Sequence, residues 1–275
     1  MFRKRVHRDD FTRTLTKTSN MVQRPRLKQQ IGFSFRRFHE QYRREQEERA
    51  AHHLILHTDG YLVDRHVSHQ SQFCRACVAA GYLTWSQMQR AVRRYRLGMS
   101  RDGGVIFWQI DMLRQVYDGK IMYYRQDCHR DHHHQPTWVS AVLSQFYECP
   151  LEIPVTHCLF GLHLLDEDQQ KVVAVVEAEK TAVIMSEVCP QYLWLATGGL
   201  SCLTESALFP LRRRRIMLFP DTDPTGKTYN EWYHRAKKAE WLLGHPVTVS
   251  PLLERQATPD QKKRKIDLVD YVFEK

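Results

Sequence analysis

The sequence predicts an α/β protein. Its mostly parallel sheet, flanked by helices, occupies about 168–275. A smaller mixed α/β subdomain precedes it at about 95–167, and a basic arm leads the chain. Three observations predict this. From Lys171 onward, apolar β-prone runs alternate with helical stretches at a regular pitch, as right-handed β-α-β crossovers require. Val105–Ile110 and Gly119–Tyr124 are two further β-prone runs, close enough in sequence to pair as a hairpin. Residues 1–50 carry 14 Lys and Arg against 6 Asp and Glu, whereas the rest of the 275-residue chain is close to neutral.

Taken in order, residues 1–30 lack apolar periodicity and read as a disordered arm. Ser34 to Leu56 is rich in Arg, Glu, Gln and Ala without Gly or Pro, and reads as a helix, so 1–57 is arm and helix. Thr58 to Cys77 is polar, with turn signals. Leu83 to Arg94 has Trp85, Met88 and Val92 at helical spacing. After the hairpin, Gln126–Pro136 is a His-rich loop and Thr137–Leu143 a further strand. Val172–Val176 is a continuous apolar run of the kind buried in a parallel sheet. Then follow a helix from Glu179, a strand at Tyr192–Ala196, a short helix from Ser201 to about Phe209, and a strand at Ile216–Phe219. The longest helix spans about Thr225–Leu243, and the last strand Pro246–Val249.

Composition excludes some classes. No apolar run reaches the roughly 18 residues of a membrane span. Met1-Phe2-Arg3-Lys4-Arg5 is not followed by an apolar stretch, so a secretory signal is not expected. Seven cysteines, an odd number, favour reduced thiols and a cytoplasmic location over a disulfide framework. The formal charge of +10, concentrated in the arm, is that of a nucleic-acid-binding chain or of a solvated tail.

Acidic residues carry the main functional signal. Glu177 follows the first strand of the α/β unit, and Asp221 and Asp223 follow the third. Ligands of open α/β sheets bind beyond the carboxyl ends of the strands, so all three are expected over one edge. Hard oxygen ligands gathered there suit Mg²⁺, which takes one or two carboxylates and keeps waters for substrate phosphates. Gly198, Gly199 and Gly226 let the backbone approach a phosphate at the same edge. Gly226-Lys227-Thr228 is not a P-loop, because Asp221 stands where that motif needs a Gly.

These parts resemble the Toprim (topoisomerase–primase) domain: Val175-Val176-Glu177-Ala178-Glu179-Lys180-Thr181-Ala182, then Ala196-Thr197-Gly198-Gly199, then Phe219-Pro220-Asp221-Thr222-Asp223-Pro224-Thr225-Gly226. Ala178 stands where the family commonly has Gly, and Thr181 where bacterial primases often have Asp. Upstream, Val105–Asp111 with Gly119-Lys120-Ile121-Met122 resembles the hairpin of the bacterial-type primase core, and Cys158–Leu165 the segment preceding Toprim. Downstream, Lys265–Tyr271 resembles the later acidic motif. The resemblance covers about 95–273 and is closest to primase-like proteins of mobile elements in Bacteroides-type bacteria.

The resemblance implies a Mg²⁺- or Mn²⁺-dependent, DNA primase-type nucleotidyltransferase. Glu177 would be a general acid/base or a metal-associated carboxylate, Asp221 and Asp223 metal ligands, and Asp267, with Asp270, a further metal contact. Lys180 would reach a nucleotide phosphate or pair with Glu177. Lys120, Arg212, Arg213, Arg214 and Lys227 would contact nucleic acid. The implied partners are single-stranded DNA, nucleotides and a separate helicase or relaxase, with no membrane. Two alternatives stay open: a non-catalytic Toprim module that binds nucleic acid, and a Toprim nuclease.

Cys74-Arg75-Ala76-Cys77 has zinc-knuckle spacing but lacks a second Cys-x-x-Cys. His66 and His69 are the residues available to complete a zinc set, making 58–94 a degenerate zinc-ribbon with a helix. The other reading is a plain helical turn. The Cys128, His129, His132, His133 and His134 cluster reads chiefly as a polar loop.

Overall fold

A computed structural model describes residues 60–146 and 157–274. The expected helix at Ser34–Leu56 lies outside them, as does the arm. The chain forms two compact units that meet in sequence at Gln169–Gln170. Among the described residues, no helix is long and apolar enough to cross a membrane.

In the first unit, helices α1 (Gly60–His66), α2 (Gln72–Ala79) and α3 (Trp85–Tyr95) precede an antiparallel sheet. Its strands are β1 (Gly98–Met99), β2 (Val105–Ile110), β3 (Val116–Met122) and β4 (Thr137–Trp138), in spatial order. Every residue of β2 is buried, because both faces of the sheet are covered. Ile106, Trp108 and Ile110 point to one face, with Val63 of α1 and Val139. On the other face Phe107 meets Phe73 of α2 at 5.6 Å and Phe160 at 5.4 Å, and Phe160 stacks on Tyr95 of α3. The two faces alternate with the period of two that a strand imposes. Gly119 lies opposite Trp108, and a Cβ there would stand 2.7 Å from the indole and from Ile106. Only a glycine leaves room for that ring.

Three sequence expectations are corrected here. The polar stretch Thr58–Cys77 holds α1 and α2, the latter capped by Ser71, whose hydroxyl accepts the Cys74 amide. β3 begins at Val116, so the hairpin loop is short, and the Asp111 carboxylate closes it by accepting the Leu113 and Gln115 amides. The strand expected at Thr137–Leu143 stops after Trp138, and helix α4 (Val139–Phe146) follows directly. The cause is distant in sequence. Asp118 of β3 accepts the amide (3.1 Å) and hydroxyl (2.5 Å) of Ser140, 22 residues later, and so caps the first turn of α4.

The second unit is a parallel sheet of β5 (Val172–Val176), β6 (Tyr192–Ala196), β7 (Ile216–Phe219) and β8 (Val247–Val249), in spatial order β6-β5-β7-β8. Between these strands lie α5 (Glu179–Val188), α6 (Glu205–Leu208) and α7 (Lys227–Leu243). After β8 come α8 (Leu252–Gln256), α9 (Pro259–Arg264) and α10 (Leu268–Phe273). β5, β6 and β7 are buried almost throughout, as expected where helices cover both faces. The chain goes from β5 outward to β6, then returns past β5 to β7. The winding therefore reverses between β5 and β7, and this switch point opens a crevice at the carboxyl ends of those strands.

Candidate functional site

Register decides which residues meet at the crevice. Val176 pairs with Ala196 on one side and Phe219 on the other, so the three strands end in one row. Glu177 stands one residue beyond that row and Asp221 two. The β5 and β6 ends are tied together, with Gly198 donating to the Glu177 carbonyl at 2.9 Å and Thr197 to that of Val176 at 3.0 Å. Gly198 does this with φ +80°, a conformation that favours glycine.

The far end of the chain completes the cluster. Thr222 donates its amide to the Ile266 carbonyl (3.1 Å), bringing Asp267 beside Asp221. Asp267 is buried and its oxygens are occupied. Oδ2 accepts the Thr181 hydroxyl (2.7 Å) and the Lys180 ammonium (3.1 Å), both from the first turn of α5, and Oδ1 caps α10 through the Asp270 amide. Burial opposes its charge. The Lys180 ammonium and these hydrogen bonds outweigh burial and hold the carboxyl below its usual range. Lys180 is itself buried, so it is fixed by Asp267 rather than standing free for a phosphate or pairing only with Glu177.

Asp221 differs from every other acid here. It is partly open to solvent, and among the described residues nothing donates a hydrogen bond to its carboxylate. Burial, then the charges of Asp267, Glu177 and Asp270, push its carboxyl well above the ordinary value, and Lys180 offsets only part of this.

Asp223 turns elsewhere. It is buried, and its oxygens accept the Thr225 amide (2.8 Å), the Thr225 hydroxyl (2.6 Å) and the Thr228 amide (2.6 Å) at the start of α7. Burial works against its charge, but these bonds prevail and hold the carboxyl far below the usual range. Both oxygens of Asp223 thus hold the start of α7, and both oxygens of Asp267 accept hydrogen bonds as well. Gly226 enters α7 at φ +70°, and a Cβ there would meet the Glu254 carboxylate at 3.3 Å.

Whether a divalent cation fits follows from this inventory. Among the described residues, no three His, Cys, Asp or Glu side chains form a ready metal-binding group. Mg²⁺ needs less than that from a protein, commonly one or two carboxylates with waters and substrate phosphates. Glu177 and Asp221 match that donor set, and the crowded charge at Asp221 is what a cation relieves.

The expected basic contacts separate. Arg212 to Arg215 precede β7 while the acids follow it, so the strand's length lies between them. Arg214 is buried, donating to the Lys171 carbonyl (3.0 Å), and the Arg212 guanidinium lies over the Phe209 ring. Arg213 is exposed. Lys227 is exposed at the start of α7, next to Thr225. Lys120 belongs to the other unit, half-buried on β3 opposite Phe107 and Trp138.

Cys74 and Cys77 are fully buried in α2, where burial pushes the Cys74 thiol up to about 11, and among the described residues no three His, Cys, Asp or Glu side chains gather there. His66 Nδ1 bonds to the Leu62 carbonyl at 2.8 Å. The segment is a helical turn packed into the core. In the His-rich loop, His129, His132, His133 and His134 are exposed, and His134 bonds to Asp131.

Fold and site together define a parallel α/β protein with an acidic cluster at its switch point. The chain belongs to a family described as "Domain of unknown function (DUF6371)", whose model matches residues 72–222. That match takes in both Glu177 and Asp221. No curated protein matches the chain.

Proposed function

We propose that the chain is a primase-like enzyme, with a Toprim-type domain that joins nucleotides on single-stranded DNA using Mg²⁺ or Mn²⁺. The observation that carries this is the Asp221 carboxylate, which lacks a protein donor, faces Glu177 and Asp267, and stands where an α/β sheet binds ligands. The Toprim reading draws support from the order of parts along the sheet edge. A Glu follows the first strand, a Gly-Gly turn follows the second, and an Asp follows the third, with the first strand between the other two.

In this reading Glu177 and Asp221 hold the divalent cation, with waters completing its shell. When bound, the ion supplies Lewis-acid polarisation of a phosphate oxygen and orients attack on phosphorus. Lys180, held by Asp267, which Thr181 in turn orients, keeps a fixed positive charge beside the crowded acids. Asp221, whose carboxyl is raised by burial and by the like charges around it, would be held in its anionic form by the bound cation. Asp223 positions the first turn of α7, and so Lys227, without touching the reacting atoms. Nucleotides and template are the partners. A separate helicase or relaxase opens the duplex, in replication or transfer of a mobile element.

The test is incubation of the chain with single-stranded DNA, labelled nucleotides and Mg²⁺. Short oligomers are expected, and Asp221→Asn or Glu177→Gln should reduce them at least about a hundredfold. Undiminished synthesis by both variants overturns the mechanism. DNA binding without turnover in Mg²⁺ or Mn²⁺ points to a non-catalytic module, and cleavage of plasmid DNA to a nuclease.

A further inference from the structure

Helix α7 buries Trp232, Ala236, Ala239, Leu242 and Leu243 against the sheet. Its outward side carries two adjacent ridges at four-residue spacing. Tyr229, Tyr233, Lys237 and Trp241 form one. Tyr229 and Tyr233 stack (6.5 Å, 23° between planes), Lys237 lies over the Tyr233 ring (5.5 Å), and Trp241 is 62% exposed. Asn230, His234 and Lys238 form the other, running along a groove of about 750 Å³ that Lys227 and Thr225 also line.

Lys227, Asn230 and Lys238 are exposed, and among the described residues none of their side chains has a hydrogen-bond or ion-pair partner. Arg235 is committed, donating to the Leu203 carbonyl (2.7 Å) and to Glu231 (2.7 Å), which stiffens the groove wall. Lys237 is held by Glu240 at 2.9 Å as well as lying over Tyr233, so among the described residues the ammonium and amide groups of this face with no partner are those of Lys227, Asn230 and Lys238.

Resting on the primase-like reading, we propose that this face of α7 is a track for single-stranded DNA leading to or from the acidic cluster. The chemistry selects that ligand. Bases stack on exposed aromatic rings without regard to sequence, while Lys227 and Lys238 meet the phosphates. A duplex hides the faces of its bases and offers the rings nothing. The helix is about 25 Å long at 1.5 Å per residue. It starts at the Asp223 cap, two residues after Asp221, so one end of the track adjoins the site.

The test titrates oligo(dT) into the full chain in EDTA while tryptophan emission is followed. Binding should quench emission, and Trp241→Phe should remove that quenching. Tyr233→Ala with Trp241→Ala should weaken binding about tenfold. Lys227→Glu with Lys238→Glu should lower the slope of log K against log salt by about 1.4, two phosphates on a single strand. A blunt duplex should leave the emission unchanged. Tight oligo(dT) binding that leaves Trp241 emission untouched overturns the track, the basic arm then holding the DNA. Wild-type affinity in both double variants overturns it as well. Because no metal is present, quenching without primer synthesis keeps the track and removes the catalytic reading, whereas synthesis without quenching does the reverse.

Discussion

Asp118 in the antiparallel unit and Asp221 in the parallel unit are both carboxyls whose proton affinity is raised, with burial the first cause in each. Their surroundings are opposite. Asp118 is fully buried and accepts three hydrogen bonds, from the Gly119 amide (2.7 Å) and from the amide and hydroxyl of Ser140. Asp221 is partly open, with no donor among the described residues and with like charges around it. A shifted acid that satisfies its neighbours' hydrogen bonds is building the fold. A shifted acid that its neighbours repel is waiting for something outside the chain.

The largest stability effect should fall on the first kind. Asp118→Ala strands buried amides at Gly119 and Ser140 and uncaps α4, and should lower unfolding free energy by about 3 kcal/mol in urea titration. An unchanged midpoint would remove its structural role.

His163 gives an effect of similar size that depends on pH. It is 2% exposed, its Nε2 bonds to the Arg94 carbonyl, and burial pulls its pKa down to about 4. The unfolded chain takes up the proton near its ordinary 6.5, so this stability is present above that pH and is lost as pH falls toward 4. The loss should approach about 3 kcal/mol, and His163→Gln should flatten the profile. Equal pH dependence in both proteins would contradict it.

Asp223→Ala should cost about 1–2 kcal/mol through the lost α7 cap, read by thermal melting. Smallest is Asp221→Asn, which relieves repulsion and should leave the melting midpoint unchanged or slightly raised. A large drop there would place Asp221 with Asp118 rather than apart from it.

The sequence made the parallel unit legible because its signals are local. Val172–Val176 and Ile216–Phe219 are apolar runs ending in an acid, and position along a parallel strand then fixes position at the crevice. Two failures have one cause, a partner remote in sequence. Lys180 looks free until Asp267 folds back onto it, and Thr137–Leu143 reads as a strand until Asp118 caps Ser140. Asp223 differs. Its Thr225 and Thr228 lie within five residues, and a capping pattern at Asp223 was readable beside the metal-ligand pattern. The outward face of α7 is not legible in the same way, because helical periodicity marks the buried stripe of Trp232, Ala236 and Ala239 and leaves the opposite side unassigned.

The different standing of Asp221 and Asp223 is tested most directly by titrating Mn²⁺ and counting the bound ion by paramagnetic resonance. A site present in the wild-type chain should be lost in Asp221→Asn and in Glu177→Gln and retained in Asp223→Asn. Retention in the first two, with loss only in Asp223→Asn, would contradict it.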